Sequence, residues 1–262
     1  MLLVQRLRSS LARELKMTNN YAYFRFYGSL NDFLPSCRRQ QDFIYQVRDN
    51  PSIKDTIEAL GVPHPEIELI LANGQSVDFS YSLQDKDRFS VYPHFSNLPL
   101  SDLQLLRPPL LLTRFVLDVH LGKLATYLRL LGFDTWYHYD CDDAKLAAIS
   151  DKEQRILLTR DIGLLKRRIV TYGYWVRAID PIQQSREVLQ RFALGSKIQP
   201  FRRCLRCNGE LVSVELEEVS DRLPPKTREC YDEFFLCQKC QQVYWKGSHY
   251  SDLQQLVEQL SN

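Results

Sequence analysis

Apolar and polar positions alternate with a period of two in the first part of the chain, which is the pattern of half-buried strands. The segments AYFRFYG and FIYQV both show it and predict two paired strands. Ile53, Ile57 and Leu60 then fall on one face of a short predicted helix. EIELILANGQSVDF predicts a hairpin, because its Asn-Gly pair favours a tight turn, and DRFSVYP predicts a last strand.

The order β-β-α-β-β-β over residues 21–93 is that of a ubiquitin-like β-grasp domain. FYGSLNDFLP, SIKDTIEALGVPHPEIELILANG and DRFSVYP resemble the sulfur-carrier branch of this fold. Those carriers act through a C-terminal Gly-Gly, whereas this block continues into HFSNLPLSDLQLLRPPLLL. We therefore exclude carrier chemistry and expect a docking or substrate-guiding module.

A different pattern begins near residue 113, where apolar strands alternate with amphipathic helices. RFVL, FDTWYHY, RILLT and YWVRAI predict four strands. The segments between and after them predict helices: LGKLATYLRLLG, DDAKLAAISDKEQ, IGLLKRR and PIQQSREVLQRFAL. Repeated strand-helix alternation predicts an α/β fold with a parallel sheet covered by helices on both faces.

These patterns divide the chain into five segments. They are an N-terminal extension (1–20), the β-grasp domain (21–93), a proline-bearing linker or strap (94–112), the parallel-sheet domain (113–196), and a cysteine-bearing block with its tail (197–262). The basic extension is open to interpretation as a targeting peptide. A frayed or short helical extension is favoured, because no long apolar segment or small-residue cleavage pattern follows it.

Composition adds two constraints. Hydrophobic residues make up 44% and charged residues 25%, as in an ordinary globular protein, and no apolar run is long enough to cross a bilayer. The net charge is only +2, so a nucleic acid would have to be held by local clusters of cations. Four of the seven cysteines form two C-x-x-C pairs, which favours a metal site in a reducing compartment, and we expect a cytoplasmic protein.

Each predicted strand of the second pattern is followed by an acid: Asp118, Asp142 or Asp143, Asp161 and Asp180. Because the carboxyl ends of parallel strands meet at one edge of a sheet, we expect these carboxylates to converge there. Converging carboxylates repel each other unless a cation joins them, and hard oxygen ligands suit Mg²⁺ or Mn²⁺. Such an ion can activate water and stabilise charge on a phosphodiester.

Some of these acids have a structural alternative. Asp142 and Asp180 are also well placed to cap the helices that follow them, which makes Asp143 the better ligand of its pair. Asp118 and Asp161 show no comparable capping role in the sequence, so a functional role is favoured for both.

Basic residues stand close to the third acid, at Arg160, Lys166, Arg167 and Arg168. They are suited to a polyanionic substrate, although Lys166–Arg168 would equally complement a helix C-terminus. Arg129 on the first helix would reach either the acids or a phosphate. Thr159 either orients a water or metal ligand, or simply ends its strand.

FVLDVHLGKLATYLRLLGFDT, DDAKL, ILLTRDIGLL and QSREVLQRF resemble the PIN-like Mut-seven C-terminal RNase domain. The resemblance continues to YWKGSH and implies a metal-dependent RNase, with Asp118, Asp143 and Asp161 at the family's acidic positions. Arg129 and the triplet Thr159-Arg160-Asp161 also match, and the family pairs with a β-grasp domain. His120 and Thr126 depart from the pattern, where a Met and a basic residue are usual.

RRCLRCNGEL and FLCQKCQQVYW place C-x-x-C pairs at Cys204/Cys207 and Cys237/Cys240. Two such pairs complete a tetrahedral structural zinc site, and the intervening segment, with LVSVELEEV as a strand, predicts a zinc ribbon with an extended hairpin. Two redox C-x-x-C motifs are the competing interpretation. Cys230 and His249 are possible substitute ligands.

The first cysteine pair is surrounded by cations at Arg202, Arg203 and Arg206, with Phe201, Tyr244 and Trp245 nearby in sequence. Cations among aromatic residues suit single-stranded RNA, although ribbon packing also accounts for Tyr244 and Trp245. The sequence thus predicts a metal-dependent ribonuclease that acts on RNA, with tRNA and ribosome-associated RNA as candidate substrates, and a protein partner for its β-grasp domain. The alternative is a non-catalytic RNA- or ribosome-binding adaptor.

Overall fold

The computed structural model describes residues 20–94, 106–108, 110 and 112–261. The predicted N-terminal extension, apart from its last residue, and most of the predicted linker lie outside the described residues. The chain divides into two compact units, Met1–Pro108 and Pro109–Asn262. The finer domain boundaries given above remain predictions.

The first unit contains a five-stranded sheet in the order β2-β1-β5-β3-β4. Its elements are β1 (Tyr21–Phe26), β2 (Phe43–Gln46), α1 (Ile53–Ala59), β3 (Ile67–Ala72), β4 (Gln75–Ser76) and β5 (Arg88–Pro93). The central strands β1 and β5 are parallel, and the other pairs are antiparallel. The predicted β-grasp order is confirmed.

Local signals explain these elements. Ser52 caps α1 by accepting the backbone N–H of Asp55 at 3.1 Å, and Ile53 and Ile57 are fully buried. The β3–β4 turn uses Asn73 and Gly74, whose φ angles of 52° and 85° lie in the left-handed region that this turn requires.

The described end of the linker lies along β3. Arg107 donates to the carbonyl oxygen of Ile67 at 2.8 Å, and its guanidinium pairs with Glu68 at 3.2 Å. This part of the linker is therefore tied to the first unit.

The second unit is built on a four-stranded parallel sheet in the order β7-β6-β8-β9. The strands are β6 (Arg114–Leu117), β7 (Asp134–Trp136), β8 (Ile156–Thr159) and β9 (Gly173–Trp175), and the helices are α2 (Gly122–Leu130), α3 (Asp143–Lys152), α4 (Ile162–Leu165) and α5 (Pro181–Arg191). Phe115 and Leu117 point into one apolar cluster, whereas Val116 points into another. Helices thus cover both faces of the sheet, as predicted.

The fourth strand is shorter than YWVRAI predicts, because it ends at Trp175. The backbone N–H groups of Arg177 and Ala178 bond instead to the Glu187 carboxylate on α5, at 3.0 and 2.9 Å. A helix side chain has taken over the donors that a longer strand would have used.

The cysteine-bearing block forms an antiparallel sheet of β10 (Leu211–Val214), β11 (Phe234–Cys237) and β12 (Val243–Trp245). The prediction that LVSVELEEV is a strand is confirmed for Leu211–Val214, which pairs with β11, and is wrong for the residues that follow. A capping box between Glu215 and Glu218 starts α6 (Leu216–Val219), and α7 (Pro225–Cys230) follows.

The chain ends in α8 (Tyr250–Ser261), which packs against α5. Within the described ranges, no helix is both long enough and apolar enough to pass through a membrane.

Candidate functional site

Asp118 and Thr159 lie side by side at the carboxyl edge of the parallel sheet. Leu117 pairs with Leu158 in the β6–β8 register, so the two residues that follow them are neighbours. Asp118 is only 4% exposed and accepts three hydrogen bonds. The Thr159 hydroxyl and the Arg160 N–H (3.1 Å) donate to Oδ2, and the His120 N–H donates to Oδ1 at 2.8 Å.

Asp161 is connected to the same threonine. Its backbone N–H donates to Thr159 Oγ1 at 2.9 Å, while its side chain is exposed and accepts the Gly163 N–H at 2.7 Å. A single buried hydroxyl therefore links Asp118 to the Asp161 backbone, and both acids lie at one edge of the sheet.

The expectation that Asp118 and Asp161 lack a capping role is wrong. Asp118 caps the 3-10 turn Val119–Leu121, and Asp161 caps α4. The Val119–Leu121 turn is too short for sequence periodicity to reveal, whereas the helix after Asp161 was predicted and its capping by Asp161 was overlooked.

The acids that follow β7 and β9 differ in their hydrogen-bond partners. Asp142 caps α3 by accepting the Lys145 N–H at 2.8 Å, and Asp180 similarly caps α5, both as expected. Asp143 is about half exposed and lies 3.9 Å from Arg167.

The acids do not form a three-carboxylate group. Among the described residues, the one group of three or more potential metal ligands is the cysteine cluster. Each acid is turned instead toward a nearby N–H group or cation, as described above. The predicted convergence of Asp118, Asp143 and Asp161 on one point is therefore not seen in this arrangement.

The predicted substrate cations lie beyond the acid pair. Arg160, Arg167 and Arg168 are exposed and Lys166 is half-buried. The Arg160 guanidinium donates to the carbonyl oxygen of Ala178, in the segment that follows β9.

Arg129 has partners other than those expected. It is only 4% exposed, and it donates to three carbonyl groups, of Thr135 (3.0 Å), Leu205 (3.0 Å) and Arg206 (3.2 Å). Burial lowers the pKa of its guanidinium. Arg129 therefore joins the parallel sheet to the first cysteine knuckle, and the expectation that it reaches the acids or a phosphate is wrong.

A second connection between the parallel sheet and the ribbon was missed in the sequence. Asp134 accepts the Asn208 side-chain N–H at 2.7 Å and pairs with Arg155 at 2.8 Å. Burial opposes ionisation of Asp134, but the Arg155 and Asn208 hydrogen bonds prevail and lower its pKa. The available signal was that Asp134 and Arg155 stand at the starts of two parallel strands, which share an edge.

The four cysteine sulfurs form a compact cluster, all within 4.8 Å of one another. Cys204 and Cys240 are 3.6 Å apart, and Cys207 and Cys237 are 3.4 Å apart. A Zn–S distance of about 2.3 Å implies tetrahedral sulfur separations of about 3.8 Å, so this arrangement fits zinc. Cys230 and His249 are not part of the cluster, so neither is needed as a substitute ligand.

Local backbone geometry assembles the cluster. Asn208 N–H bonds to Cys204 O, and Gln241 N–H bonds to Cys237 O, each at 2.9 Å, so both C-x-x-C pairs form matching turns. A Cβ on Gly209 would lie 2.7 Å from the Cys237 sulfur, so only glycine fits there.

The thiols differ in acidity. Burial raises the pKa of Cys207 to about 12. Burial also opposes ionisation of Cys237, but N–H donors from Cys240 and Lys239 bring its pKa down to about 7. Since the thiolate is the metal ligand, Cys237 is more ready than Cys207 to bind an ion. The Tyr244 hydroxyl lies 3.1 Å from the Cys204 sulfur and supports it from outside the cluster.

The ribbon cations are not equivalent. Arg202 and Arg206 are exposed, whereas Arg203 donates to the carbonyl oxygen of Asn208 at 3.1 Å and lies 3.8 Å from Glu210. Arg203 thus braces the knuckle as well as adding positive charge.

Comparison with known proteins agrees with this architecture. Residues 113–257, more than half of the chain, match the Mut7-C RNAse domain, and residues 19–99 match the Mut7-C ubiquitin domain. No curated protein and no solved structure matches the chain. The matched range covers the parallel sheet, the acid pair and the cysteine cluster, and the chain belongs to the Mut7-C RNAse domain family.

Proposed function

We propose that the protein is a metal-dependent ribonuclease whose reaction centre is the Asp118–Thr159–Asp161 edge of the parallel sheet. One observation carries the proposal: the Thr159 hydroxyl binds Asp118 and the Asp161 backbone together, at the edge where open parallel sheets bind ligands. Membership of an RNase-domain family supports it.

The donor set of this edge suits a divalent ion. Three hydrogen bonds leave the Asp118 carboxylate with about one remaining acceptor position, and the exposed Asp161 has more. Mg²⁺ commonly takes one or two carboxylates and completes its shell with water and substrate phosphate, so two acids are sufficient. Asp118 and Asp161 would hold the ion, and Asp143 is the candidate third ligand. The ion, Mg²⁺ or Mn²⁺, would lower the pKa of water and stabilise phosphodiester charge.

The protein's own residues prepare this site. Thr159 and the N–H groups of His120 and Arg160 hold the Asp118 carboxylate in one orientation. Arg160, Lys166, Arg167 and Arg168 would neutralise the phosphates of the RNA on either side of the scissile bond.

The remaining parts have supporting roles in this proposal. The cysteine cluster would bind one structural zinc ion, since four protein ligands leave no open position. Arg202, Arg203 and Arg206 would add contacts to the RNA, for which tRNA and ribosome-associated RNA are the candidates. The ubiquitin-like domain would dock a protein partner.

The direct test is RNA cleavage in Mn²⁺ by the wild type and by an Asp118→Asn, Asp161→Asn double variant. We expect the double variant to lose at least 100-fold in cleavage rate, because both proposed ligands are neutralised. Asp180→Asn is the matched control, since Asn caps helices as well as Asp and its cleavage rate should be unchanged. Equal cleavage by the wild type and the double variant would refute the proposal.

A second candidate is an RNA- or ribosome-binding adaptor without catalysis. The observation that favours it is the lack of a three-acid group among the described residues. RNA binding that is intact in the double variant, together with no wild-type cleavage in Mn²⁺ or Mg²⁺, would establish the adaptor.

A further inference from the structure

An apolar cleft lies beside the ribbon sheet, away from the acid pair, and has a volume of about 290 Å³. Aromatic residues are prominent in its lining, among them Phe201, Phe235, Tyr244 and Tyr250. A second cavity of about 510 Å³ shares Phe201, Leu211, Phe235 and Tyr250 with it, so the two lie side by side. We call the two together the ribbon cleft.

The ribbon cleft lies on the less covered face of the sheet. On the opposite face Phe234 packs with Val219 and Leu223, and Trp245, the cross-strand partner of Phe234, packs against this cluster. On the cleft side, Phe235 of β11 and Tyr244 of β12 are paired across the sheet. Tyr250 at the start of α8 lies against Phe201, with ring centroids 4.8 Å apart and a tilt of 34°.

The charge of the ribbon cleft has one sign. Arg203 and Lys246 line the first cavity and Arg202 lines the second, whereas neither lining contains Asp or Glu. Glu233 and Glu210 approach Lys246 and Arg203 only from outside, at 2.6 and 3.8 Å. Aromatic walls with a cationic rim fit a ligand that is both aromatic and anionic, which an apolar peptide is not.

We propose that the ribbon cleft binds an unstacked base of single-stranded RNA, with the adjoining phosphates at Arg202 and Lys246. This inference rests on the proposed RNA-binding function and identifies a place where a base, rather than only a phosphate, is held. Every base has a flat π-face, so the site is expected to tolerate different sequences. The Tyr244 hydroxyl contacts the Cys204 sulfur, so one wall is fixed by the cysteine cluster.

The test compares two RNA oligonucleotides of equal length, one with all its bases and one with abasic positions that keep every phosphate. Binding is measured by fluorescence anisotropy on the full chain with Asp118→Asn and Asp161→Asn, so that cleavage plays no part. We expect this protein to bind the base-bearing RNA about tenfold more tightly, within the range for stacking of one base.

Two further changes in the same background locate the preference. Tyr250→Ala removes a wall and Leu253→Trp fills the ribbon cleft, and both should abolish the tenfold preference, while Tyr250→Phe should keep it. Tyr231→Ala, which trims a ring on the covered face, is the matched control and should also keep it. Metal content and thermal unfolding of each variant identify any that fail to fold.

Equal binding of the two RNAs, or a preference that survives both Tyr250→Ala and Leu253→Trp in folded protein, would overturn the inference. If the ribbon cleft instead holds an apolar peptide segment, the two RNAs should bind equally. These outcomes are independent of the nuclease proposal, which the cleavage assay tests separately.

Discussion

The cysteine cluster and the acid edge are both candidate metal sites, but they are assembled to different degrees. The four sulfurs lie within 4.8 Å of one another, close to the spacing that a single tetrahedral ion requires. At the acid edge, Asp118 and Asp161 are linked through Thr159, while Asp143 pairs with Arg167.

The difference follows from how each site is encoded. Each C-x-x-C pair is a local turn closed by its own backbone hydrogen bond, so its two sulfurs are placed by a few neighbouring residues. The acids come from separate strand ends, and their final positions depend on short turns whose N–H groups compete for the same oxygens. The sulfurs are therefore already at the spacing that a metal ion requires, whereas the carboxylates are hydrogen-bonded to nearby N–H groups.

The largest predicted effect is on the cysteine cluster. Cys204→Ser should abolish stoichiometric zinc binding and unfold the ribbon, because binding of structural zinc contributes about 10 kcal/mol or more to such folds. Metal analysis and hydrogen exchange of the ribbon amides measure the two effects. Cys230→Ser is the control, since Cys230 is exposed and outside the cluster. A Cys204→Ser ribbon that stays folded without zinc would show that the cysteine cluster is not a structural metal site.

The next effect concerns Asp134, which accepts hydrogen bonds from Arg155 and from Asn208 of the ribbon. Arg155→Ala leaves the Asp134 carboxylate without its main cation and should cost about 3 kcal/mol in unfolding free energy. Chemical denaturation at pH 7 measures this loss. Unchanged stability would mean that the parallel sheet and the ribbon are held together by other contacts.

The same carboxylate gives a pH dependence. Because the folded-state pKa of Asp134 is lowered, its contribution is complete above the ordinary aspartate pKa of about 3.9 and is lost as the pH falls below it. Asp134→Asn should therefore weaken the loss of stability between about pH 4 and pH 2. Asp140→Asn, an exposed neighbour, should leave the pH profile unchanged.

A smaller effect is expected at the hydroxyl that links the acids. Thr159→Val keeps the shape of the side chain but removes the donor to Asp118, and should lower Mn²⁺-dependent cleavage by about 10- to 100-fold. Its half-saturating Mn²⁺ concentration should rise, which a purely structural defect would not cause. Thr135→Val is the control: Thr135 is equally buried in the same sheet but bonds to Phe133 O. Equal losses in both variants would contradict a positioning role for Thr159.

The smallest effects separate the two acids after β7. Asp142→Ala should cost about 1 kcal/mol in stability through the lost cap and leave cleavage unchanged. Asp143→Asn should do the reverse, with unaltered thermal unfolding and slower cleavage. The opposite pattern would make Asp142 the functional acid.

Much of this architecture was predictable because it depends on local signals. The Asn73-Gly74 turn, the helical spacing of Ile53 and Ile57, and the alternation of strands and helices after residue 113 identified the first sheet, its helix and the doubly covered second sheet. The failures involve contacts from distant elements or very short turns. Glu187 accepts the N–H groups that a longer β9 would have used. The capping box of Glu215 and Glu218 starts α6 within the predicted strand. Arg129 donates to carbonyl groups of the first cysteine knuckle.

The most direct measurement of the central claim is a crystal structure with Mn²⁺, with anomalous scattering recorded at the manganese and zinc edges. We predict a manganese peak against the Asp118 and Asp161 carboxylates and a separate zinc peak among Cys204, Cys207, Cys237 and Cys240. A zinc peak accompanied by no manganese at the acid edge, at saturating Mn²⁺, would contradict the assignment of this edge as the catalytic centre.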